Sequence, residues 1–297
     1  MAIVLGPQQY GKAEVRVVRV IRDTPVHQIR DLCVSTSLRG DFAAAHLAGD
    51  QSAVLPTDSQ KNTVFAFAKE RPAGEIEDFA LALARHFVTD IPAVTGARVE
   101  IDEYAWDRIE VDGAPHDHSF VRRGQEVRTT IVTVEKEQAW VTAGIKELVL
   151  LKSTGSEFHG FYTDPYTTLP ETSDRILATA LIARWRYARP EADWAAGYAG
   201  VRSAITAAFA TVHSLALQQT LYAMGEAALL ARPEVAEIRF SAPNKHHFAA
   251  DLAPFGLENP GEVFYAADRP YGLIEATVTR DDAPDPGLAW YTVPGSV

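Results

Sequence analysis

The chain has 297 residues, 47% of them hydrophobic and 23% charged, which is enough for two average domains or one large one. This composition is typical of a folded globular protein and excludes a disordered or fibrous chain. The 28 Lys and Arg residues are outnumbered by 39 Asp and Glu, so the formal net charge is -11, and this excess disfavours general binding to nucleic acid.

The chain begins with a pattern typical of two strands. Val and Ile alternate with charged residues over residues 13–22, and the apolar phase slips between Val17 and Val18, which predicts a bulge there. Residues 32–38 alternate again and can pair with that strand. The period of two is then lost, so the chain is expected to turn helical.

An amphipathic helix and two further strands follow. Apolar residues recur at spacings of three and four from Ile76 to Ile91, and Pro92 is expected to end the helix. Residues 99–109 and 127–134 then predict two strands. The first half is therefore expected to run from strands to helices and back to strands.

The second half repeats this order. Strands are predicted over residues 139–153 and 178–188, followed by two helices with apolar faces. Ser214 is expected to cap the second helix, which ends at Arg232-Pro233. The apolar faces comprise Val201, Ala204, Ile205, Ala208, Phe209 and Val212 in the first helix and Leu217, Leu221, Met224 and Ala228 in the second.

Two halves of the same pattern predict an α+β protein with tandem domains. Strands return over residues 236–241 and 273–279, and neither half alternates strand with helix. Such an order favours antiparallel sheets that carry helices on one face. Since no low-complexity linker separates the halves, we place the domains at residues 1–138 and 139–297.

Cysteine usage and both ends of the chain bear on the compartment. Cys33 is the single cysteine, so an intrachain disulfide and Cys-based zinc or iron–sulfur sites within one chain are excluded. The start has no basic segment, and no stretch of the chain is apolar enough to span a membrane. The last residues are Val-Pro-Gly-Ser-Val rather than the peroxisomal Ser-Lys-Leu. We therefore expect a bacterial protein of the cytoplasm.

Familiar cofactor and nucleophile motifs are absent, but several polar runs are not required by secondary structure. There is no dinucleotide-binding glycine loop after a strand, no Walker loop, no G-x-S-x-G and no H-E-x-x-H. The runs are Gln9-Tyr10-Gly11-Lys12, Pro56-Thr57-Asp58-Ser59, residues 152–175, Leu217-Gln218 and Pro243-Asn244-Lys245-His246-His247-Phe248. We expect the chemistry of the protein to lie in these runs.

These runs resemble the urate oxidases, the uricase family. The stretch from Lys152 to Arg175, which includes Phe158, resembles the long signature of the family in both residue types and spacing. Shorter runs resemble the family in the same order, at residues 10–12, 57–63, 116–120 and 243–246. The resemblance covers nearly the whole chain, roughly residues 4–280.

This resemblance implies an α+β tunnelling fold in tandem, with antiparallel sheets that carry helices on one face. Four subunits would close their sheets into a barrel-walled tunnel, and active sites would lie between subunits. The implied reaction takes urate, dioxygen and water to 5-hydroxyisourate and hydrogen peroxide, without a metal or organic cofactor. The implied partners are those substrates and further copies of the chain, with no nucleic acid and no membrane.

The resemblance also assigns the residues that bind substrate. Urate is a flat anion with hydrogen-bonding groups at its edge, so a site needs a stacking ring, a planar cation and an amide. Phe158 would supply the ring, Arg175 the cation and Gln218 the amide. Asp58 and Leu217 would meet the ligand through backbone groups. Each of these three side chains also has an ordinary structural alternative. Phe158 would be a core residue, Arg175 would form a surface ion pair and Gln218 would lie on the surface of a helix.

Catalysis would need the removal of a proton, because urate must become electron-rich before it passes an electron to dioxygen. The resemblance places Lys12 and Thr57 in a proton relay, in which Lys12 activates the Thr57 hydroxyl and His246 extends the path through water. Asn244 would hold dioxygen or the attacking water together with Thr57.

Ordinary structural roles are the alternatives for these polar residues. Thr57-Asp58 fits a helix N-cap pair, Lys12 a solvated strand residue and Asn244-Lys245 a turn.

A metal site and two other functions are further alternatives. His116 and His118 can supply two zinc ligands, but no third ligand follows at a recognised spacing, so both are expected to be structural or subunit-contact residues. A relative of the same fold that acts on pterins or guanine nucleotides would typically anchor its ligand with Glu and use zinc, whereas this chain offers Gln218. An inactive purine-binding oligomer is disfavoured, because the binding and relay residues occur together.

Overall fold

The structure is a computed structural model that describes residues 1–71 and 74–292. Its strands are β1 (Tyr10–Ile21), β2 (Gln28–Gly40), β3 (Val94–Val111), β4 (Ala114–Glu135), β5 (Gln138–Lys152), β6 (Leu177–Tyr187), β7 (Val235–Ala249) and β8 (Phe264–Thr279). Its helices are α1 (Ala43–Ala48), α2 (Thr57–Glu70), α3 (Ile76–Asp90), α4 (Trp194–Thr211) and α5 (Leu217–Ala231), with a short 3-10 turn at Ala253–Phe255. Among the described residues, no helix is long and apolar enough to cross a membrane.

The chain divides into two compact units. The first comprises Met1–Gly144, Arg186–Ala195 and the described residues from Pro284 onward, and the second comprises Ile145–Trp185 and Ala196–Ala283. The predicted boundary between tandem domains stays a prediction, because compact units and repeated domains need not share their limits.

Antiparallel pairing between consecutive strands builds the sheet. Hydrogen-bonded neighbours follow chain order from β1 to β8. The pairs β1–β2, β2–β3, β3–β4 and β7–β8 are all antiparallel. Alternate residues of β2 are buried, at Leu32, Val34, Thr36 and Leu38, and a slip of one residue would expose all of them. The predicted α+β class with antiparallel strands is confirmed.

Helices α2 and α3 pack against the sheet of the first unit. α3 contacts β3 and β4, whereas α2 contacts β1. Each large apolar side chain buried in this way contributes about 1.5–3 kcal/mol, so the stripe on α3 favours packing of the helix on the sheet. The fully or nearly fully buried residues of that stripe are Ile76, Ala80, Leu83, Ala84 and Phe87.

Helix α5 packs against β7 and β8 in the second unit. The predicted inner face is confirmed, since Leu217, Leu221, Met224 and Ala228 are all buried. Gly225 marks the closest approach, because a Cβ there would lie 2.5 Å from a methyl carbon of Val278 on β8. A side chain at this position in the middle of α5 would therefore force the helix away from β8.

The predicted position of the bulge in β1 is wrong. The register shifts between Lys12 and Val15, where Glu14 has a φ of 56°. Val17 is buried and Val18 is 61% exposed, so two adjacent valines here reflect a strand with one exposed face rather than a bulge.

Candidate functional site

Lys12 lies on β1 where the bulge begins, beside the first turn of α2. Its backbone N–H donates to Thr36 Oγ1 at 3.4 Å, and that hydroxyl donates to Gln60 Oε1 at 2.7 Å. Thr36 and Gln60 are buried, so this chain of hydrogen bonds ties β1 to the start of α2. The Lys12 side chain is half-buried at this junction.

Thr57 and Asp58 are the first two residues of α2, and both are exposed. The N-cap is Pro56 and the helix has no side-chain cap hydrogen bond, so the alternative that the pair caps α2 is wrong. Asp58 accepts a hydrogen bond from Lys61. That bond, with the charge of Lys61 and a weaker attraction from Lys12, holds the pKa of Asp58 below its usual range. Lys12, Thr57 and Asp58 therefore share one region of the first unit.

Arg175 lies over the ring of Phe158 in the second unit. Two backbone hydrogen bonds of 2.8 and 3.0 Å join Phe158 to Thr172, and the Arg175 N–H donates to the carbonyl of Ser156 at 2.7 Å. The guanidinium carbon is consequently 5.0 Å from the centroid of the Phe158 ring. Phe161 stacks on the same ring, with centroids 4.9 Å apart.

The guanidinium of Arg175 is half-buried and incompletely paired. Its Nε is buried and has no hydrogen-bond partner among the described residues. Burial lowers the pKa of Arg175, but an arginine stays protonated in proteins. A buried N–H without an acceptor is costly, and the cost is larger for a charged group. The site therefore favours a ligand with an acceptor atom and negative charge.

Leu217 and Gln218 open α5 next to the segment that carries Phe158. Leu217 is buried and Gln218 is exposed. The preceding Ser214 donates its N–H to the carbonyl of Gly155 at 2.9 Å and accepts from the N–H of Glu157 at 2.8 Å. Helix α5 has no side-chain cap hydrogen bond, so the predicted capping role of Ser214 is wrong. Ser214 instead links two segments of the candidate site.

Asn244 and His246 lie on β7, where its register with β8 shifts. Asn244 is thus part of a strand, and the alternative that it forms a turn is wrong. The half-buried ring of His246 stacks on Phe248 with centroids 5.6 Å apart. Burial, with a contribution from the positive charge of Arg175, lowers the pKa of His246. The imidazole is therefore neutral at pH 7 and able to accept a proton.

The predicted site residues fall into two groups, one in each unit. The first unit carries Lys12, Thr57 and Asp58, and the second carries Phe158, Arg175, Leu217, Gln218, Asn244 and His246. The second group combines a cation, an aromatic ring and a neutral imidazole, which suits a flat anion. The first group contains an amine, a hydroxyl and a carboxylate, which are residue types suited to proton transfer. The individual roles stay predictions.

Two acidic residues were not predicted as part of the site. Asp174 accepts hydrogen bonds from Thr154 Oγ1 at 2.8 Å and from the Gly155 N–H at 2.9 Å, which fixes the loop beside Arg175. Glu157 accepts hydrogen bonds from two histidines. Each acidic residue directly precedes a predicted ligand-binding residue in the sequence, and that adjacency is the signal that could have identified both.

The histidines of β4 contact one another. The rings of His116 and His118 are 4.5 Å apart, and His118 lies 5.9 Å from His27. Arg108 donates to the carbonyls of His116 and Asp117 at 3.0 and 2.7 Å. Over residues 1–71 and 74–292, no group of three or more His, Cys, Asp and Glu is arranged to hold a metal ion. The structural or subunit-contact role of these histidines stays a prediction.

Fold and candidate site together describe a class of protein: a two-unit α+β chain in which the second unit carries the residues predicted to bind a flat anion and the first carries those predicted to transfer protons. A family model described as Uricase matches residues 8–133 and 141–275. The uricase of Arthrobacter globiformis is 54% identical over 293 residues, which cover 99% of this chain and 95% of that protein. The uricase of Aspergillus flavus is 37% identical over 290 residues, which cover 92% of this chain and 95% of that protein. The chain belongs to the uricase family.

Solved structures agree with this assignment. The crystal structure of uricase from Arthrobacter globiformis matches with a TM-score of 0.91 at 55% identity, over 96% of this chain and 98% of that one. A urate oxidase structure from Bacillus sp. TB-90 matches with a TM-score of 0.81 at 25% identity, over 92% of this chain and 100% of that one. The resemblance identified from the sequence is confirmed, and the tandem tunnelling fold is that of the family.

Proposed function

We propose that this member of the uricase family is a urate oxidase, an oxidoreductase that converts urate, dioxygen and water into 5-hydroxyisourate and hydrogen peroxide. The observation that carries the proposal is Arg175, a half-buried guanidinium whose Nε has no partner among the described residues, 5.0 Å from the ring of Phe158. It occurs in a chain that is 54% identical to a uricase. We expect the reaction to need no metal and no organic cofactor.

Binding of urate is the first step. Urate is an anion at neutral pH, and oxygen and nitrogen atoms along its edge match a planar cation and an amide. Arg175 would hold that edge through two parallel N–H bonds, and Gln218 would complete the grip. Phe158 would stack on the purine face. Backbone groups of Asp58 and Leu217 would meet the rest of the edge.

Proton removal prepares the bound anion for dioxygen. Dioxygen is a triplet and urate a singlet, so direct combination is slow and one electron passes first. Loss of a further proton makes the purine a better electron donor. We assign the proton path to Lys12, Thr57 and His246, in which the Thr57 hydroxyl transfers protons between its neighbours. The lowered pKa of His246 supports this assignment, because a neutral imidazole can accept a proton.

Dioxygen and water would meet the purine near Asn244. Its amide can donate to dioxygen or orient the attacking water, together with the Thr57 hydroxyl. The net reaction balances, since one dioxygen and one water supply the three oxygen atoms of the added hydroxyl group and of hydrogen peroxide. Water supplies two of their three hydrogen atoms, and the third is a proton that urate loses. The two electrons come from urate.

We further propose that each site is assembled from two copies of the chain. Lys12 and Thr57 lie in the first unit, whereas Arg175 and His246 lie in the second. Within the described residues β1 pairs only with β2 and β8 only with β7, so each has an edge that a second copy can meet. A homotetramer whose sheets close a tunnel is the assembly that we expect.

We place this activity in the bacterial cytoplasm. Cys33 is the single cysteine of the chain, so the fold needs no oxidising compartment for disulfide formation. Fractionation of the source cells followed by detection with an antibody tests the placement.

The activity is tested with purified protein that has been treated with a chelator and desalted. In aerated buffer, the ultraviolet absorbance of urate should fall while oxygen is consumed and peroxide is released in equal amount. Protein that leaves urate unchanged would contradict the proposed function. Activity that returns only after a metal is added would contradict the absence of a cofactor.

Replacement of Thr57 tests the relay. We expect Thr57→Ala to lower kcat about 100-fold with little change in KM, because a hydroxyl that transfers protons acts mainly on the chemical step. Thr206→Ala is the matched control, since the Thr206 hydroxyl donates to the carbonyl of Arg202 within α4 at 2.8 Å. Steady-state kinetics of both variants measure the effect. Wild-type turnover in Thr57→Ala would remove this residue from the relay.

A further inference from the structure

Glu157 lies between two histidines, next to the predicted stacking residue. Its Oε2 is 2.8 Å from His159 Nε2, and its Oε1 is 3.0 Å from His213 Nε2. The Glu157 side chain is 15% exposed, whereas both histidines are more than half exposed. The hydrogen bond from His213 is the main cause that holds the pKa of Glu157 below its usual range, so the carboxylate is ionised at neutral pH.

The two histidines belong to different segments of the second unit. His159 follows Phe158 in the same segment as Glu157, whereas His213 precedes α5. The backbone repeats this link, because Glu157 and Ser214 are joined by a hydrogen bond of 2.8 Å. The carboxylate therefore joins the segment that carries the stacking ring to the segment that leads into α5.

The link continues into the first turn of α5. Thr220 Oγ1 donates to Ser214 Oγ at 2.8 Å, and both residues are fully buried. The N–H of Leu215 donates to Gln219 Oε1 at 3.2 Å. These bonds tie Ser214 and Leu215, which follow His213, to Gln219 and Thr220, which follow Gln218. We therefore expect a displacement of His213 to move Gln218 as well.

We infer that Glu157 is a positioning residue: by bridging His159 and His213, its carboxylate fixes the ring of Phe158 relative to the amide of Gln218. This inference rests on the proposed function, in which a purine is bound by both of these side chains. Both backbone hydrogen bonds between the two segments are made by Ser214, to Gly155 at 2.9 Å and from Glu157 at 2.8 Å. The segments can still pivot about that one residue, and a further connection through side chains removes this freedom. A purine site tolerates little change in spacing, because stacking and edge hydrogen bonds must form together.

The test compares Glu157→Ala, Glu157→Gln, His213→Ala and the Glu157→Ala/His213→Ala double variant. Glu171→Ala is the matched control, because Glu171 accepts from the N–H of Gly160 at 2.8 Å within its own loop. Each variant is checked for folding by thermal unfolding. KM and kcat for urate are then measured, with the dissociation constant of xanthine as a probe that binds without being oxidised.

We expect Glu157→Ala and His213→Ala each to raise KM for urate and Kd for xanthine about fivefold, as the loss of one charge-assisted hydrogen bond would. kcat should change by less than about twofold, since the relay is untouched. Glu157→Gln should recover most of the loss, because its amide oxygen still accepts from a ring N–H. The double variant should be no worse than either single one, which shows that both act through one contact.

Other results would overturn the inference. The inference is wrong if folded Glu157→Ala has the wild-type Kd for xanthine and the wild-type KM for urate. It is also wrong if these two constants change no more in Glu157→Ala than in Glu171→Ala. Additive losses in the double variant would also contradict it, because the two side chains would then act independently. Wild-type protein that binds xanthine but does not oxidise urate would refute the proposed function alone, since xanthine binding by the variants still tests the positioning.

Discussion

At the scale of single residues, Arg175 combines burial, charge and a donor without an acceptor. The Nε atom is buried without a partner among the described residues, although its cation lies 5.0 Å from an aromatic ring that partly compensates for lost water. Protein interiors seldom leave such a group unpaired. Under the proposed function, a bound urate anion would supply the missing acceptor.

Replacement of Arg175 by lysine tests this explanation. Lysine keeps the positive charge but lacks the planar fork, so Arg175→Lys should raise KM for urate at least about tenfold and lower kcat/KM about 100-fold. Turnover should also fall, because the interaction strengthens as negative charge grows on the purine. Steady-state kinetics over a range of urate concentrations separate the two effects.

Arg239→Lys is the control for the loss of an arginine in the second unit. Arg239 lies on β7 and pairs with Glu237 at 2.7 Å, away from the residues assigned to the ligand. Arg239→Lys should have a KM for urate within about twofold of the wild-type value, because a partly exposed ion pair contributes little. A wild-type KM in Arg175→Lys would mean that the guanidinium does not hold urate.

The resemblance assigns site residues both from one long signature, at residues 152–175, and from short runs such as residues 10–12, 57–63 and 243–246. Phe158 and Arg175 stand 17 positions apart within one signature, and the structure places the Arg175 guanidinium 5.0 Å from the Phe158 ring, while their roles toward a ligand stay predictions. Glu157 and His213 are separated by 56 positions with no motif that joins them. Their contact depends on how residues 155–157 meet residue 214, and such long-range backbone pairing leaves no local signal.

At the scale of elements, the first turn of α3 is anchored to β4 by charged groups. Glu77 is fully buried, and its Oε2 lies 2.8 Å from a guanidinium nitrogen of Arg128. Glu75 lies 2.6 Å from the same guanidinium and Glu103 lies 3.9 Å from it. Burial raises the pKa of Glu77 to about 7, against the attraction of Arg128. Glu77 is therefore partly protonated at neutral pH.

This shift predicts that stability falls as the pH rises. The unfolded chain binds the proton of Glu77 with a pKa near 4.5, and the folded chain with a pKa of about 7, so protonation stabilises the fold. That contribution is complete below the unfolded value and is lost as the pH rises through the folded one. As the pH rises from about 5 to about 8, the free energy of unfolding of the wild type should fall by on the order of 2–3 kcal/mol because of this group. Glu77→Gln should not show this decrease.

Thermal or urea unfolding at several pH values measures this difference. Glu77→Gln keeps the shape and polarity of the protonated side chain and removes its titration. Glu75→Gln serves as the control, because the Glu75 side chain is 31% exposed and contacts the same arginine. Parallel stability profiles for the wild type and Glu77→Gln would show that Glu77 does not titrate in this range.

The lengths of the strands show where periodicity is informative. The prediction of residues 127–134 covers only the part of β4 in which most side chains are buried, whereas the strand begins at Ala114. Residues 114–126 are mostly exposed, so neither face imposes an alternation of apolar and polar side chains. By contrast, α3 packs one face on β3 and β4, and its apolar stripe predicted the helix to within its caps.

At the scale of the whole molecule, the repeated order of strands and helices was predictable, but the assembly of the site was not. Each half supplies its own hydrophobic pattern, so the order can be followed along the chain. The two groups of site residues lie in different units of one chain, with Thr57 in the first and Arg175 in the second. Whether one copy or two form a complete site depends on surfaces that carry no such pattern.

Complementation between two inactive variants decides between these arrangements. Thr57→Ala keeps an intact second unit, and Arg175→Ala keeps an intact first unit. If each site takes Thr57 from one copy and Arg175 from another, co-expression of the two variants should restore about a quarter of the wild-type sites through random association. The measurement is urate oxidation by the purified mixed oligomer, with each variant alone near background.

Co-expression of Thr57→Ala with a Thr57→Ala/Arg175→Ala chain is the control and should stay inactive, because no copy then carries Thr57. Activity near background in a mixed oligomer of normal size would show that one copy supplies both groups, because random association cannot then create an intact site.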